Sequence, residues 1–267
     1  MPKVHPTAVI EGDVRLSPGV VVGPWCLLHG ALGTVSVGAG TVLRANVHLT
    51  GPLTLGDNND VYPFVCIGGA PQDIGTSPDT PGPGIVIGNG NVFRESVTIH
   101  RPKWKDPGRI GNNNYFMTAA HAGHDCIIGN NNVFANSTLL AGHVEIADKV
   151  ITGGFAALQQ FVRVGRGAFI SGLGGTTLDV CPYFLVTGVN YAASINVVGL
   201  RRSGASSATI DTVRWVYRTL CRSSLLPAKA LDALRSRAGD PIVDEYITFI
   251  EGSKRGIVTA RGRLTEG

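Results

Sequence analysis

The sequence predicts a mainly β protein, a parallel β-helix of hexapeptide repeats followed by a small α-helical C-terminal domain. A step of six from Ile110 lands on Phe116, Ala122, Ile128, Phe134, Leu140, Ile146, Thr152, Leu158, Val164 and Ile170, nearly all apolar. The residue after each step is mostly small, as at Gly111, Gly123, Gly129, Ala135, Gly153 and Gly165. After Ile170 the period gives way to an irregular connection marked by Asp179, Pro182 and Gly188, and then to segments with helical spacing and helix-capping residues.

A helix places apolar residues every 3.6 positions and a half-buried strand every second one, so neither explains a period of six. A coiled parallel β-helix does: each hexapeptide supplies one short strand and one tight corner, and the large apolar residue points into a narrow prism. Three hexapeptides make an 18-residue coil with faces a, b and c, Ile110 lying on a. The step extends backwards through Val4, Ile10, Leu16, Val22 and Leu28, then from Val37 to Ile67, then through Ile87, Phe93 and Ile99. About 25 hexapeptides imply about eight coils, on the order of 40 Å of prism.

Three breaks, after Leu28, Ile67 and Ile99, all fall between a c position and the next a position. Each is expected to leave the prism at the same corner, and insertions gathered on one edge of a repeat fold commonly build its binding face. The longest, about 68–86, reads GGAPQDIGTSPDTPGPG from Gly68 to Gly84 and is a loop. The β-helix is assigned to residues 1–190, its period failing after Ile170, and the helical domain to 191–267. Ile210, Val213, Val216, Tyr217 and Leu220 share one helical face behind Ser206, Pro227 opens a second helix, and Asp240 followed by Pro241 caps a third.

The chain has 267 residues, 43% of them apolar, and a mean hydropathy of +0.16, enough for a substantial core. No apolar run approaches the roughly 18 residues that span a bilayer, and the N-terminus lacks a basic and apolar targeting segment, so a cytoplasmic protein without membrane insertion is expected. Five cysteines without paired spacing read as small buried thiols in a reducing compartment. Residues 201–267 carry 12 Lys or Arg against 7 Asp or Glu, which fits a solvated face or the docking of an acidic partner protein. Nucleic acid is not expected, because no basic run is interleaved with aromatics.

Six of the seven histidines (His29, His48, His100, His121, His124, His143) lie close to c positions, on the edge from which the insertions depart. Residues 18 apart stack about 4.8 Å from each other. One such column is His124, Gly142 and Gln160, and its neighbour is Asp125, His143 and Phe161. A neutral His124 suits removal of a proton from a hydroxyl that attacks an acyl carbon, Asp125 stabilising the imidazolium and the Gly142 amide donating to the oxyanion. Solvated decoration of a solenoid is the plain reading of the same residues, and three histidines with an aspartate also suit zinc.

The stretches VHPTAVI, RESVTIHR, AAHAGHDCIIGNNN, LLAGHVEI and GVNYAASINVVGLRR resemble the acyl-carrier-protein-dependent UDP-N-acetylglucosamine O-acyltransferases that begin lipid A synthesis. The resemblance covers essentially the whole chain, with HAGHDC and the later AGH its most specific part. It implies a left-handed β-helix, a homotrimer with active sites between subunits, and transfer of a 3-hydroxyacyl chain from acyl carrier protein to the glucosamine 3-hydroxyl. The carrier-protein thioester is the acyl donor, with no metal or other cofactor. His124 matches the family's base, Asp125 its orienting carboxylate and Gly142 its oxyanion amide. Asp73, His121, His143 and Gln160 match substrate contacts, Asn196 and Arg202 positions near the nucleotide, and Gly172 the position that gauges acyl length.

The chain departs from the family pattern at Gly75 (usually lysine), Gln159 (histidine), Val198 (glutamate) and Ser203 (the second arginine of a pair). Losing two cations beside a diphosphate removes charge-assisted contacts, for which Arg101, Arg201 and Arg202 are the candidate replacements. A paralogue acting on another nucleotide sugar or an amino sugar fits the same residues. A zinc enzyme of the γ-carbonic anhydrase kind and a non-catalytic scaffold for acyl carrier protein are the readings from other classes.

Overall fold

The computed structural model describes residues 1–260; residues 261–267, the end of the expected helical domain, lie outside the described part. Face b is a ladder of ten parallel rungs from Lys3–Val4 to Phe184–Thr187, closed by the antiparallel strand Tyr191–Ile195. About eight coils were expected; the incomplete first and last coils each add a rung. Faces a and c are joined in one 15-stranded sheet, because Val9–Leu16 and Leu27–Val37 run unbroken around the corner between them.

That continuity corrects the reading of the first break. The extra residues after Leu28 do not leave as a loop but extend one long strand, paired with His48–Thr50 in its first part and Leu53–Leu55 in its last. Backbones crowd here: a Cβ on Gly30 would lie 2.4 Å from the Asp13 carbonyl oxygen, so only glycine lets adjacent coils approach this closely. The second and third breaks do become loops, 70–84 and 101–107, leaving at the corner between c and a.

The repeat also persists past Ile170. Leu158 pairs with Thr176, Val164 bridges Val180 and Ile170 pairs with Val186, giving a further coil. A shortened corner between Thr176 and Val180 takes the anchors out of the six-residue step, which hides this coil in the sequence. Residues 191–195, assigned from the sequence to the helical part, form the last strand of the face b sheet.

The step-of-six residues line the interior, and Phe116 stacks between Phe93 and Phe134 with ring centroids 5.0 and 4.6 Å away. At the corner between a and b, buried Asn59, Asn91, Asn114 and Asn132 form a ladder. Each Oδ1 accepts a backbone N–H from the next coil at 2.7–2.9 Å, the last from Val150. These amides satisfy corner N–H groups that a narrow prism would otherwise bury without partners.

Helix α1 (Val197–Arg202) begins at Asn196, α2 (Ser207–Tyr217) at Ser206, α3 (Pro227–Arg235) with Pro227, and α4 (Pro241–Glu251) at Asp240. The buried side of α2 holds Ile210, Val213, Val216 and Tyr217, and a π-helical turn, Arg218–Arg222, continues it. Helix α4 docks on the last coils: Tyr246 donates to the Pro182 carbonyl at 2.6 Å, and Arg166 forms a bidentate pair with Glu245. None of the described helices is long and apolar enough to cross a membrane.

Because Phe116 is enclosed by two stacked rings, Phe116→Ala should cost about 3–5 kcal/mol of stability. Chemical denaturation would read this as a lower midpoint.

Candidate active site

The corner between c and a folds as a tight turn in which Asp125, His143 and Phe161 take φ of 62°, 62° and 65°. Backbone bonds from His143 N–H to the His124 carbonyl (2.9 Å) and from Phe161 N–H to the Gly142 carbonyl (3.1 Å) hold successive turns in register. The two expected columns are therefore present, and His143 and Phe161 stack with centroids 4.3 Å apart, tilted by 6°.

His124 is buried at 7% exposure, its Nδ1 2.7 Å from Asp125 Oδ2. With Nδ1–H donating to the carboxylate, Nε2 is the basic nitrogen. The ring lies against Gly142, where an added Cβ would sit 2.7 Å from both Cε1 and Nε2. Glycine at 142 is thus required by the imidazole itself. The Gly142 N–H makes no hydrogen bond among the described residues. Around this pair runs a groove of about 530 Å³ lined by Gln72, His121, Leu139, Ala157, Gln159 and Gln160.

The loop 101–107 closes over the other side. Asp125 Oδ2 accepts from Lys103 N–H and Oδ1 from Trp104 N–H, each at 3.1 Å, and Trp104 Nε1–H donates to His143 Nε2 at 3.1 Å. Burial lowers the His143 pKa against the pull of Asp125. A second groove of about 640 Å³ lies here, lined by Trp104, Asp125, His143, Phe161, Arg163, Lys254 and Arg255 among others. His121 bonds Thr98 Oγ1 through Nδ1 at 2.8 Å, and burial, assisted by neighbouring His100, pushes its pKa down to about 4.

Asp73 reaches the site through Lys103, whose Nζ lies 2.7 Å from its Oδ2, and its Oδ1 accepts from Gly75 N–H. These contacts hold its pKa below the usual value, the lysine bond contributing most. The cation absent at Gly75 is thus placed beside Asp73 by another loop. His29 pairs with Glu11, and His48 with Thr50, on other coils.

Arg101 is not a free cation. It is 2% exposed, and its guanidinium donates to the carbonyls of Gly68, Pro78 and Thr80, tying down the long loop. Asn196 is a buried helix cap, accepting from Gly199 N–H and donating to the Gly167 carbonyl. Ser203 ends the same helix with its Oγ donating to the Leu200 carbonyl. Asn196, the exposed Arg202 and Gly172 line neither groove.

Sequence reasoning missed Trp104 and Lys103. The signal was present, since RPKWKDPG fills the third break at the corner where the histidines gather.

Ligand-capable atoms of His124, Asp125 and His143 lie within 4.8 Å of one another. They are engaged in hydrogen bonds inside the chain: His143 Nε2 with the indole, both Asp125 oxygens with backbone N–H groups. Each of the three side chains thus already has a partner within the chain.

A stacked hexapeptide prism with an imidazole–carboxylate pair on one corner fits the class of hexapeptide-repeat acyltransferases, and similarity to known proteins bears out that class. Residues 179–258 match the family described as UDP-N-acetylglucosamine O-acyltransferase, domain 2. A protein of Anaeromyxobacter dehalogenans named as the acyl-carrier-protein-dependent UDP-N-acetylglucosamine O-acyltransferase is 40% identical, covering 95% of this chain and 98% of its own. The enzyme of that name in Campylobacter concisus is 34% identical over 98% of this chain and 100% of its own. The solved UDP-N-acetylglucosamine O-acyltransferase of Moraxella catarrhalis superposes with a TM-score of 0.88 at 36% identity, covering 96% of this chain and 99% of that one. The chain belongs to the family of acyl-carrier-protein-dependent UDP-N-acetylglucosamine O-acyltransferases, and its prism is the left-handed β-helix of that family.

In the fold His121 stays neutral down to about pH 4, whereas in the unfolded chain it protonates near its ordinary value of 6.5. The unfolded state therefore binds the extra proton between those values, and stability falls as pH drops through that window. His48, His100 and His143, also shifted downward by partial desolvation, act in the same direction. The thermal midpoint should decline as pH is lowered from about 6.5 to about 4, and His121→Gln should make that decline shallower.

Proposed function

We propose that this chain transfers a (3-hydroxy)acyl group from acyl carrier protein to the 3-hydroxyl of UDP-N-acetylglucosamine, the first step of lipid A synthesis. The observation that carries the reading is the His124–Asp125 pair, with its basic Nε2 beside the unengaged Gly142 N–H in an open groove. His124 removes the hydroxyl proton as the oxygen attacks the thioester carbonyl. Asp125 stabilises the imidazolium, and the Gly142 N–H donates to the oxyanion. Collapse of the tetrahedral intermediate expels the carrier thiolate, which takes the proton from His124. The thioester supplies the activated acyl group, so these steps require no metal or other cofactor.

His121, His143, Gln160 and Asp73 surround the base as acceptor contacts. Gly172, Asn196 and Arg202 serve the same reaction from an adjacent subunit. Two observations support this: Gly172 lies at the corner between b and c while His124 lies between c and a, and none of the three lines a groove of its own chain. The outer side of face b offers a contact surface, since partly exposed Val42, Val92, Val133, Ile151, Phe169 and Leu185 lie along it, with Asp60 and Tyr115 between the first three. A homotrimer closes such composite sites. Five free cysteines, four of them buried, agree with a reducing cytoplasm.

The burial of Arg101, with Val198 and Ser203 at the nucleotide positions, favours a second reading on one point only, in which the acceptor is another nucleotide sugar in place of UDP-N-acetylglucosamine. Mass spectrometry of products from a panel of acyl-carrier-protein thioesters and nucleotide sugars separates the two. Acylated UDP-N-acetylglucosamine is expected; product from a different sugar alone would transfer the assignment to it.

His124→Ala should lower kcat by about 10²–10⁴ without unfolding the chain, and unchanged binding with no turnover in either form would indicate a scaffold. Gly142→Ala should displace the imidazole and reduce kcat with little loss of stability. At Gly172 a Cβ would meet nothing closer than the Gly154 oxygen at 3.4 Å, so Gly172→Met should fold and shift preference to shorter acyl chains.

A further inference from the structure

We propose that Trp104 is a positioning residue for the reaction above: its indole N–H occupies His143 Nε2 and thereby reserves the Asp125 carboxylate for His124. This rests on the general-base reading of His124. The geometry sets up a competition, because Asp125 Oδ2 lies 2.7 Å from His124 Nδ1 and 3.8 Å from His143 Nε2. The two imidazoles meet edge to face with centroids 5.0 Å apart. A protonated His143 would present an N–H to the same oxygen, weaken its bond to His124 and place a second positive charge beside the imidazolium formed during the reaction.

Trp104 prevents this by chemistry specific to indole, which donates and never accepts. Its N–H at 3.1 Å from His143 Nε2 requires a lone pair there, so the neutral ring with its proton on Nδ1 is the form that fits. The same loop secures the carboxylate through the N–H groups of Lys103 and Trp104. Loop and indole thus act on one unit.

The groups facing His143 make its charge state sensitive to this bond. Asp125 is the one carboxylate within 4 Å of it among the described residues and favours the proton; His124 and Lys103 oppose it. Along the groove Glu145 and Arg163 are paired at 3.6 Å, and Phe161 covers one ring face. Burial acts against the proton together with the indole.

The test is Trp104→Phe, which keeps an aromatic ring and removes only the donor. NMR titration of the His143 ring protons should show its pKa rising by about one unit relative to the wild type. The acid limb of the pH profile of kcat should move upward by a similar amount, with KM changed less than kcat. In Trp104→Phe/His143→Phe the acid limb should coincide with that of His143→Phe alone. An unshifted His143 titration in Trp104→Phe overturns the proposal, as does an acid limb that moves equally with His143 absent. The NMR arm reads the linkage even if the wild type transfers no acyl group, so failure of the proposal and failure of the assigned reaction are distinguishable.

Discussion

The structure depends on the backbone hydrogen bonds that hold each 18-residue coil in register with the next. Beyond the tight corners, the contacts of this β-helix are mostly distant in sequence, and one residue of slip would turn every inward side chain outward. The bonds from His143 to His124 and from Phe161 to Gly142 belong to this ladder, and they also assemble the site. Stability and chemistry therefore share one constraint: the register that stacks Phe93, Phe116 and Phe134 inside places Gly142 beneath the His124 ring outside.

Around that rigid column, two loops supply what the repeat cannot. A hexapeptide corner offers backbone and short side chains at fixed spacing, but no lateral support for an outward imidazole. The 101–107 loop provides it with two backbone N–H groups, an indole and an ammonium, and the 70–84 loop is fastened to the prism by buried Arg101. Asp73 and Lys103 join the two loops. The cation beside Asp73 thus comes from the neighbouring loop, at Lys103.

Much of the fold was legible because the six-residue period is imposed by geometry on every coil. It failed where geometry was satisfied by other means. The break after Leu28 is absorbed into a continuous strand by the close approach allowed at Gly30, and the coil through Thr176, Val180 and Val186 is concealed by one shortened corner. The asparagine ladder had a sequence trace in the repeated GNNN, but its amide bonds from coil to coil exist only once coils stack.

The sequence by itself determined the prism, the corner on which its chemistry gathers and the columns containing His124, Asp125, Gly142, His143 and Gln160, because an 18-residue period converts linear distance directly into contact. Only the tertiary structure decided the state of those groups. Which nitrogen of His143 is occupied, why residue 142 has no side chain, and that Arg101 fastens a loop instead of facing a phosphate all depend on segments whose paths no period fixes. Loop conformation follows from contacts distant in sequence, and those contacts turn a row of polar residues on a solenoid into one hydrogen-bonded unit.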